Sequence, residues 1–180
     1  MGFKVAIIGA GFVGASAAYA MSINNLVSEL VLIDVNKEKA YGEALDISHG
    51  LSFAGHMNVY SGDYSDVKDC DVIVITAGAA RKPGETRLDL AKKNTTIMKS
   101  IVTELMKYYN KGVIVSVSNP VDVLAYMTQK WSGLPASKVI GSGTVLDSAR
   151  FRTHISQALG VDIANVHGYI MGEHGDSQLP

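Results

Sequence analysis

The sequence predicts an α/β fold: a doubly wound parallel sheet, followed by the start of a second, α+β domain. Three observations carry this. Apolar β-branched runs recur at residues 5–8, 30–33, 72–75 and 113–117, and each is continuous where a half-exposed strand would alternate. Helical patterns fill the gaps between them, as crossover connections require. A glycine-rich turn, Gly9-Ala10-Gly11-Phe12-Val13-Gly14, joins the first run to the first helix.

The elements follow in order. After the strand at 5–8, residues 12–23 are alanine-rich and read as a helix. The strand at 30–33 leads to a helix at 37–48, with Ala40, Ala44 and Ile47 on one face. A short strand is expected at 58–60, then the run at 72–75. The longest helix, 86–109, carries Leu90, Ile97, Ile101, Leu105 and Tyr108 at spacings of three, four or seven. The run at 113–117 ends at Asn119-Pro120, and proline suits the opening of a helix over 121–131. A weak strand at 138–140 precedes a helix at 144–159, which Gly160 terminates. A last strand is expected at 166–171. The predicted domains are 1–142 and 143–180, the second cut short within its own fold.

Composition excludes several classes. There are 16 Lys+Arg against 17 Asp+Glu, a net charge of −1, so no basic field draws the chain to nucleic acid or an anionic membrane. No apolar run is long enough to span a bilayer. The single cysteine, Cys70, cannot close an internal disulfide, which suggests a reducing, cytoplasmic setting. Its neighbours Asp69 and Asp71 should raise its thiol pKa, so it is a poor nucleophile. His49, His56 and His154 have no metal-ligand spacing, and no metal is expected.

The turn at 9–14 has the chemistry of a Rossmann dinucleotide site. Gly9 allows a tight turn, Gly11 a close approach of pyrophosphate, and Gly14 close helix–strand packing. Phe12 and Val13 open the helix whose free N–H groups face the phosphates. Asp34 ends the second long run, 20 residues after Gly14, where a carboxylate can accept from an adenosine ribose hydroxyl. It would repel a 2′-phosphate, so NAD is the expected cofactor. Thr76-Ala77-Gly78-Ala79 after the third long run, and Val117 and Asn119 after the fourth, would meet a ligand crossing the strand ends.

Four further motifs complete a pattern: GETRLDL at 84–90, VSNPVD at 117–122, GSGTVLDSARFR at 141–152 and GEHGDS at 172–177. Together with the phosphate turn, and in this order along all 180 residues, they resemble the lactate/malate dehydrogenase family. The resemblance implies NAD-dependent, reversible reduction of a 2-keto acid, pyruvate to L-lactate, with oxaloacetate to malate as the alternative. A third possibility is that these 180 residues by themselves are a nucleotide-binding module without turnover.

The resemblance implies His174 as the proton donor and Asp147 as its partner; an unperturbed imidazole titrates near neutrality, as this role needs. Arg150, three residues from Asp147 on one helix face, would clamp the substrate carboxylate through two hydrogen bonds. Arg87 would polarise the substrate carbonyl when its loop closes, and Asn119 would donate an amide hydrogen bond. Arg152 lies about 200° round the helix from Arg150 at about 100° per residue, so the two cannot share a ligand. By resemblance, Arg152 and His167 would bind the activator fructose 1,6-bisphosphate at a subunit interface of a homo-tetramer. Arg81 holds the specificity position of the mobile loop, where the lactate pattern has Gln and the malate pattern Arg. The lactate-type surroundings favour pyruvate, with Arg81 turned outward or offset by Glu85.

Overall fold

Strands that are apolar on both sides need cover on both faces, and that requirement shapes the molecule. The computed structural model describes residues 2–180. Six strands, β1 (Lys4–Ile8), β2 (Glu29–Ile33), β3 (Asn58–Ser61), β4 (Val72–Ile75), β5 (Val113–Ser116) and β6 (Val139–Gly141), form one sheet. Every pairing is parallel, and the order is β3-β2-β1-β4-β5-β6. The helices are α1 (Phe12–Ile23), α2 (Lys37–Ala54), α3 (Arg87–Leu105), α4 (Val121–Ser132) and α5 (Val145–Leu159).

Alternate side chains of each strand enter opposite cores. Val5 and Ile7 of β1 pack with Ala18 of α1 and Ala40, Ala44 and Ile47 of α2. Ala6 and Ile8 face Met98, Ile101, Val102 and Leu105 of α3 and Leu124 of α4. Ile73 and Ile114 in the central strands are fully buried, each contributing about 1.5–3 kcal/mol of transfer free energy. The chain reverses direction across the sheet between β1 and β4, opening a crevice beyond their C-terminal ends.

Helix boundaries follow caps. Thr86 is the N-cap of α3: its hydroxyl accepts from the Asp89 N–H at 3.1 Å while the Asp89 carboxylate accepts from the Thr86 N–H at 3.1 Å. Helix α2 runs past the expected residue 48 to Ala54, because a cap comes only at Gly55. The Cys70 thiol is raised to about 11, the expected direction, with burial as the main cause; Lys4 opposes, while Glu29, Asp71 and Asp66 add.

The strand expected at 166–171 is not formed. Its polar backbone groups are instead taken by one stripe of α5 and its cap. Thr144 Oγ1 donates to the Ile170 carbonyl at 2.5 Å, the Ile170 N–H donates to Ser148 Oγ at 2.9 Å, and Arg152 Nε donates to the Gly168 carbonyl at 3.1 Å. Positions 144, 148 and 152 share one helix face. Gly168 lies against the Phe151 ring, where a Cβ would come within 2.9 Å. Met171 makes one antiparallel bridge, to Leu179. Helix α5 thus acts as the partner that a neighbouring strand would otherwise be.

Candidate active site

The phosphate turn has three glycines with three different reasons to be glycine. Gly9 has φ +112° and its missing Cβ would sit 2.5 Å from the Ala77 N atom, so the β1 and β4 turns touch there. A Cβ on Gly14 would come 1.9 Å from the Gly9 carbonyl oxygen. Gly11 has no neighbour within 4 Å of that position: it borders open space. Gly11 is also the N-cap of α1, has no side chain to cap it, and no acidic residue follows in the first turn. The first N–H groups of α1, at Phe12, Val13 and Gly14, therefore remain available to an anion. Phe12 and Val13 are themselves exposed at the mouth.

Around this turn the strand ends are tied together. Thr76 Oγ1 donates to the Gly9 carbonyl at 2.8 Å. Ser118 Oγ donates to the Ala77 carbonyl at 2.7 Å, and the Val117 N–H to the Ile75 carbonyl at 2.9 Å. Asn94 of α3 is buried. It accepts from the Ala79 N–H at 2.7 Å and donates to the carbonyls of Ala79 at 3.2 Å and Asn119 at 2.7 Å. Losing such a buried partner costs about 1–3 kcal/mol. A Cβ on Gly78 would come 3.4 Å from the Asn94 Nδ2 atom. Asn94 and Ser118 escaped the sequence reading, although Asn94 leaves a signal as a polar residue in the apolar stripe Leu90–Met98–Ile101–Leu105 of α3.

Asp34 stands at the end of β2. Its Oδ2 accepts from the Ala10 N–H at 2.7 Å and its Oδ1 from the Asn36 N–H at 2.9 Å. Each carboxylate oxygen keeps a second lone pair for a ribose hydroxyl. Asp34→Ser should narrow the preference for NADH over NADPH by roughly ten- to hundredfold, the worth of one charge-assisted hydrogen bond. Titration of both dinucleotides by fluorescence checks this. Equal affinity of the unaltered protein for NADPH contradicts the ribose role.

The second cluster lies where α5 meets the loop after it. Asp147, in the first turn of α5 and only 8% exposed, contacts two side chains at once, His174 and Arg150. Its Oδ2 meets His174 Nδ1 at 2.5 Å, and its Oδ1 lies 3.3 Å from Arg150 Nη1. The His174 side chain is about one-third exposed and Arg150 is 61% exposed. The backbone N–H of His174 donates to Asp122 Oδ2 of α4 at 2.8 Å, a contact with no sequence signal across 52 positions.

A cleft of about 420 Å³ opens on this cluster. Arg81, Arg87, Asn119, Asp147 and His174 line it, with Leu90, Pro120, Gly175, Asp176 and Gln178. Arg150 is not part of that lining and touches it through Asp147. Arg87 is the first residue of α3, where the helix dipole disfavours a cation. Its guanidinium is 80% exposed and 3.9 Å from the carboxylate of Asp176, a pair worth little in water. Arg81 is exposed but lines the cleft. The expected offset by Glu85 is absent: Glu85 Oε2 accepts from the Lys82 N–H at 2.9 Å and Oε1 lies 3.9 Å from Lys93 Nζ. Glu85 instead closes the turn before α3.

Elsewhere, the Arg152 guanidinium stacks 5.2 Å over the Tyr169 ring while its Nε holds Gly168, next to exposed His167. Among the described residues no cluster of His, Cys, Asp or Glu could hold a metal, and no helix is long and apolar enough to cross a membrane.

Comparison with known proteins gives this geometry a family. Residues 3–141 match the lactate/malate dehydrogenase NAD binding domain, and residues 144–180 match the lactate/malate dehydrogenase alpha/beta C-terminal domain. An L-lactate dehydrogenase of Thermoanaerobacterium saccharolyticum is 59% identical over 98% of this chain and 57% of its own length. The ligand-bound crystal structure of a minor L-lactate dehydrogenase from Enterococcus mundtii superposes with a TM-score of 0.95 at 53% identity, over 98% of this chain and 56% of that one. The apo malate dehydrogenase from Picrophilus torridus superposes at 0.94 with 40% identity, over 100% of this chain and 58% of that one. The chain thus spans somewhat over half the length of these relatives. With a glycine turn after β1, the Asp34 carboxylate at the end of β2 and the His174–Asp147 pair on a cleft beside Asn119, and with both family domains matched in order, this chain belongs to the lactate/malate dehydrogenase family.

Proposed function

We propose that this chain carries the cofactor site and the proton-transfer pair of an NAD-dependent L-lactate dehydrogenase. The observation that carries the reading is the His174–Asp147 pair facing a cleft that Arg87 and Asn119 also line. The turn at 9–14, Asp34 and the strand-end segments at 76–79 and 117–119 would hold NADH, which would supply hydride to the keto carbon when bound. His174 gives a proton to the keto oxygen as that oxygen gains charge. Asp147 keeps the imidazole oriented and stabilises its charged form before transfer. Arg150 forks onto the substrate carboxylate once it swings from Asp147, two parallel bonds fixing the ligand's register. Arg87, the first residue of α3, polarises the carbonyl when the loop before it folds over the cleft and water leaves. Asn119 donates its amide to the substrate.

The finer assignments belong to the same reading. The domains divide near residue 142, with α5 opening the substrate domain. The whole protein works in pyruvate fermentation in the cytoplasm, as a homo-tetramer. Arg152 and His167 take the phosphates of fructose 1,6-bisphosphate.

A second reading, malate chemistry, is favoured by one observation. Arg81 lines the cleft and Glu85 is engaged elsewhere. Oxaloacetate brings a second carboxylate, which Arg81 could pair; pyruvate does not. We keep pyruvate as the main substrate because Arg81 is exposed at the rim, where water solvates its charge without a partner. Appreciable oxaloacetate turnover is then expected. Arg81→Gln should raise the pyruvate-to-oxaloacetate ratio of kcat/KM by roughly ten- to hundredfold, the value of one charged hydrogen bond. The test is that ratio in the unaltered full-length chain. Preference for pyruvate supports the lactate reading, and strong preference for oxaloacetate replaces it with malate; NAD-dependent turnover by the 180 residues alone rejects the nucleotide-binding module.

A further inference from the structure

We propose that Asp122 is a positioning residue of the proton-transfer site, its carboxylate holding the backbone of His174 so that the imidazole is fixed at two points. The inference rests on the reading of His174 as proton donor.

The loop that carries His174 has little to fix it. Gly172 has φ +92°, and Gly175 follows one residue after His174. Glycines on both sides leave the segment many backbone conformations. Some of its bonds are internal: Ser177 Oγ donates to Glu173 Oε2 at 2.9 Å, the Gln178 N–H donates to the Gly175 carbonyl at 3.3 Å, and Met171 bridges Leu179. Its outward ties are the ring contact with Asp147, the backbone contact with Asp122, and the long, exposed Arg87–Asp176 pair.

A ring held only through Nδ1 can pivot about that bond. Fixing the backbone N–H as well sets the line between backbone and Nδ1, and so limits where the far nitrogen Nε2 can lie. The anchor is itself rigid. Asp122 lies in the first turn of α4, which starts after Pro120 and is packed on the sheet through Val121 and Leu124. A carboxylate there is favoured by the positive end of the helix. Asn119 precedes this turn, and its carbonyl is held by buried Asn94. The proposed amide donor to substrate and the proposed proton donor therefore hang from one short segment, 119–122. The Asp122 contact also joins the two family-matched segments, 3–141 and 144–180.

The test uses three proteins as full-length chains: unaltered, Asp122→Ala and Asp122→Asn. Removing the acceptor should lower kcat by roughly 10–100-fold, the scale of a misplaced catalytic group, with NADH affinity unchanged. The His174 amide should then exchange its hydrogen at least about tenfold faster. Asparagine keeps an acceptor oxygen, so Asp122→Asn should keep kcat within about threefold and the amide slow. Wild-type kcat in Asp122→Ala, or equal loss in both variants, overturns the proposal. Should Asp122→Ala fail to bind NADH, Asp122→Asn decides alone: retained turnover with a slow amide supports the role, and loss of either rejects it. Failure of the unaltered protein to reduce any keto acid would reject the proton-donor reading instead, and amide exchange would still decide whether Asp122 holds the loop.

Discussion

His174→Ala in the full-length chain should leave NADH binding near that of the unaltered protein and lower keto acid reduction by about 10²–10⁴-fold, the usual worth of a positioned general acid. The two halves of that expectation have separate physical origins. The phosphate turn, Asp34 and the strand-end segments are held by bonds among themselves, and His174 is bonded to none of them. Its ring bonds to Asp147 and its backbone to Asp122. Removing the imidazole also strips buried Asp147 of one of two partners, and Arg150 remains to balance its charge. The fold should therefore survive. Equilibrium titration with NADH and a steady-state assay check the two halves. Retained turnover at neutral pH removes His174 from the mechanism, and lost NADH binding shows a structural role.

The glycines of the phosphate turn give the second large effect, and they should divide. Gly14→Ala places a methyl 1.9 Å from the Gly9 carbonyl oxygen and 2.8 Å from Thr76 Oγ1. Both are held groups, so α1 must move off β1. Such overpacking costs about 1–3 kcal/mol, a fall in Tm of about 2–12 °C for a chain of this size. NADH affinity should fall with it, since the displaced helix end is the proposed phosphate site. Gly11→Ala should behave otherwise. Its backbone is extended, at φ −75° and ψ −174°, and nothing lies within 4 Å of the new methyl. Thermal stability should drop by at most about 1 kcal/mol, the difference between glycine and alanine as N-cap. NADH affinity should still fall about tenfold or more, because the methyl occupies the space a pyrophosphate needs. Calorimetry and dinucleotide titration on both variants separate the cases. A Gly11→Ala chain that binds NADH normally would place the phosphates elsewhere.

The parts legible in the sequence are those where local chemistry and global fold agree. Continuous runs such as 72–75 could only be strands covered on both faces, and the sheet buries them so. Gly9, Gly11 and Gly14 each have a distinct steric reason available from spacing alone; the clearances at Gly9 and Gly14 match theirs, and Gly11 borders open space. Segment 166–171 misled because β-propensity speaks to a pleated, half-buried setting and not to the identity of the partner. Thr144, Ser148 and Arg152 took the hydrogen bonds a neighbouring strand would have offered. The helix stripe they form is visible in sequence, but its target 16 to 26 residues on is not. Asp122 is opaque for the same reason: its partner is set by the approach of a loop 52 residues later. Glu85 failed as a counter-charge to Arg81 because a nearer donor, the Lys82 N–H, captured it first.

The central claim is that the cofactor crevice and the His174 cleft form one reaction site. A crystal structure of the full-length chain with NADH and oxamate, a non-reacting analogue of pyruvate, tests it most directly. The account predicts oxamate in the cleft, its carboxylate forked by Arg150 and its amide-carbonyl oxygen within about 2.6–3.2 Å of His174 Nε2, with the nicotinamide ring against it and the pyrophosphate over Gly11. Oxamate bound away from His174, or a dinucleotide lying outside the 9–14 turn, would contradict it.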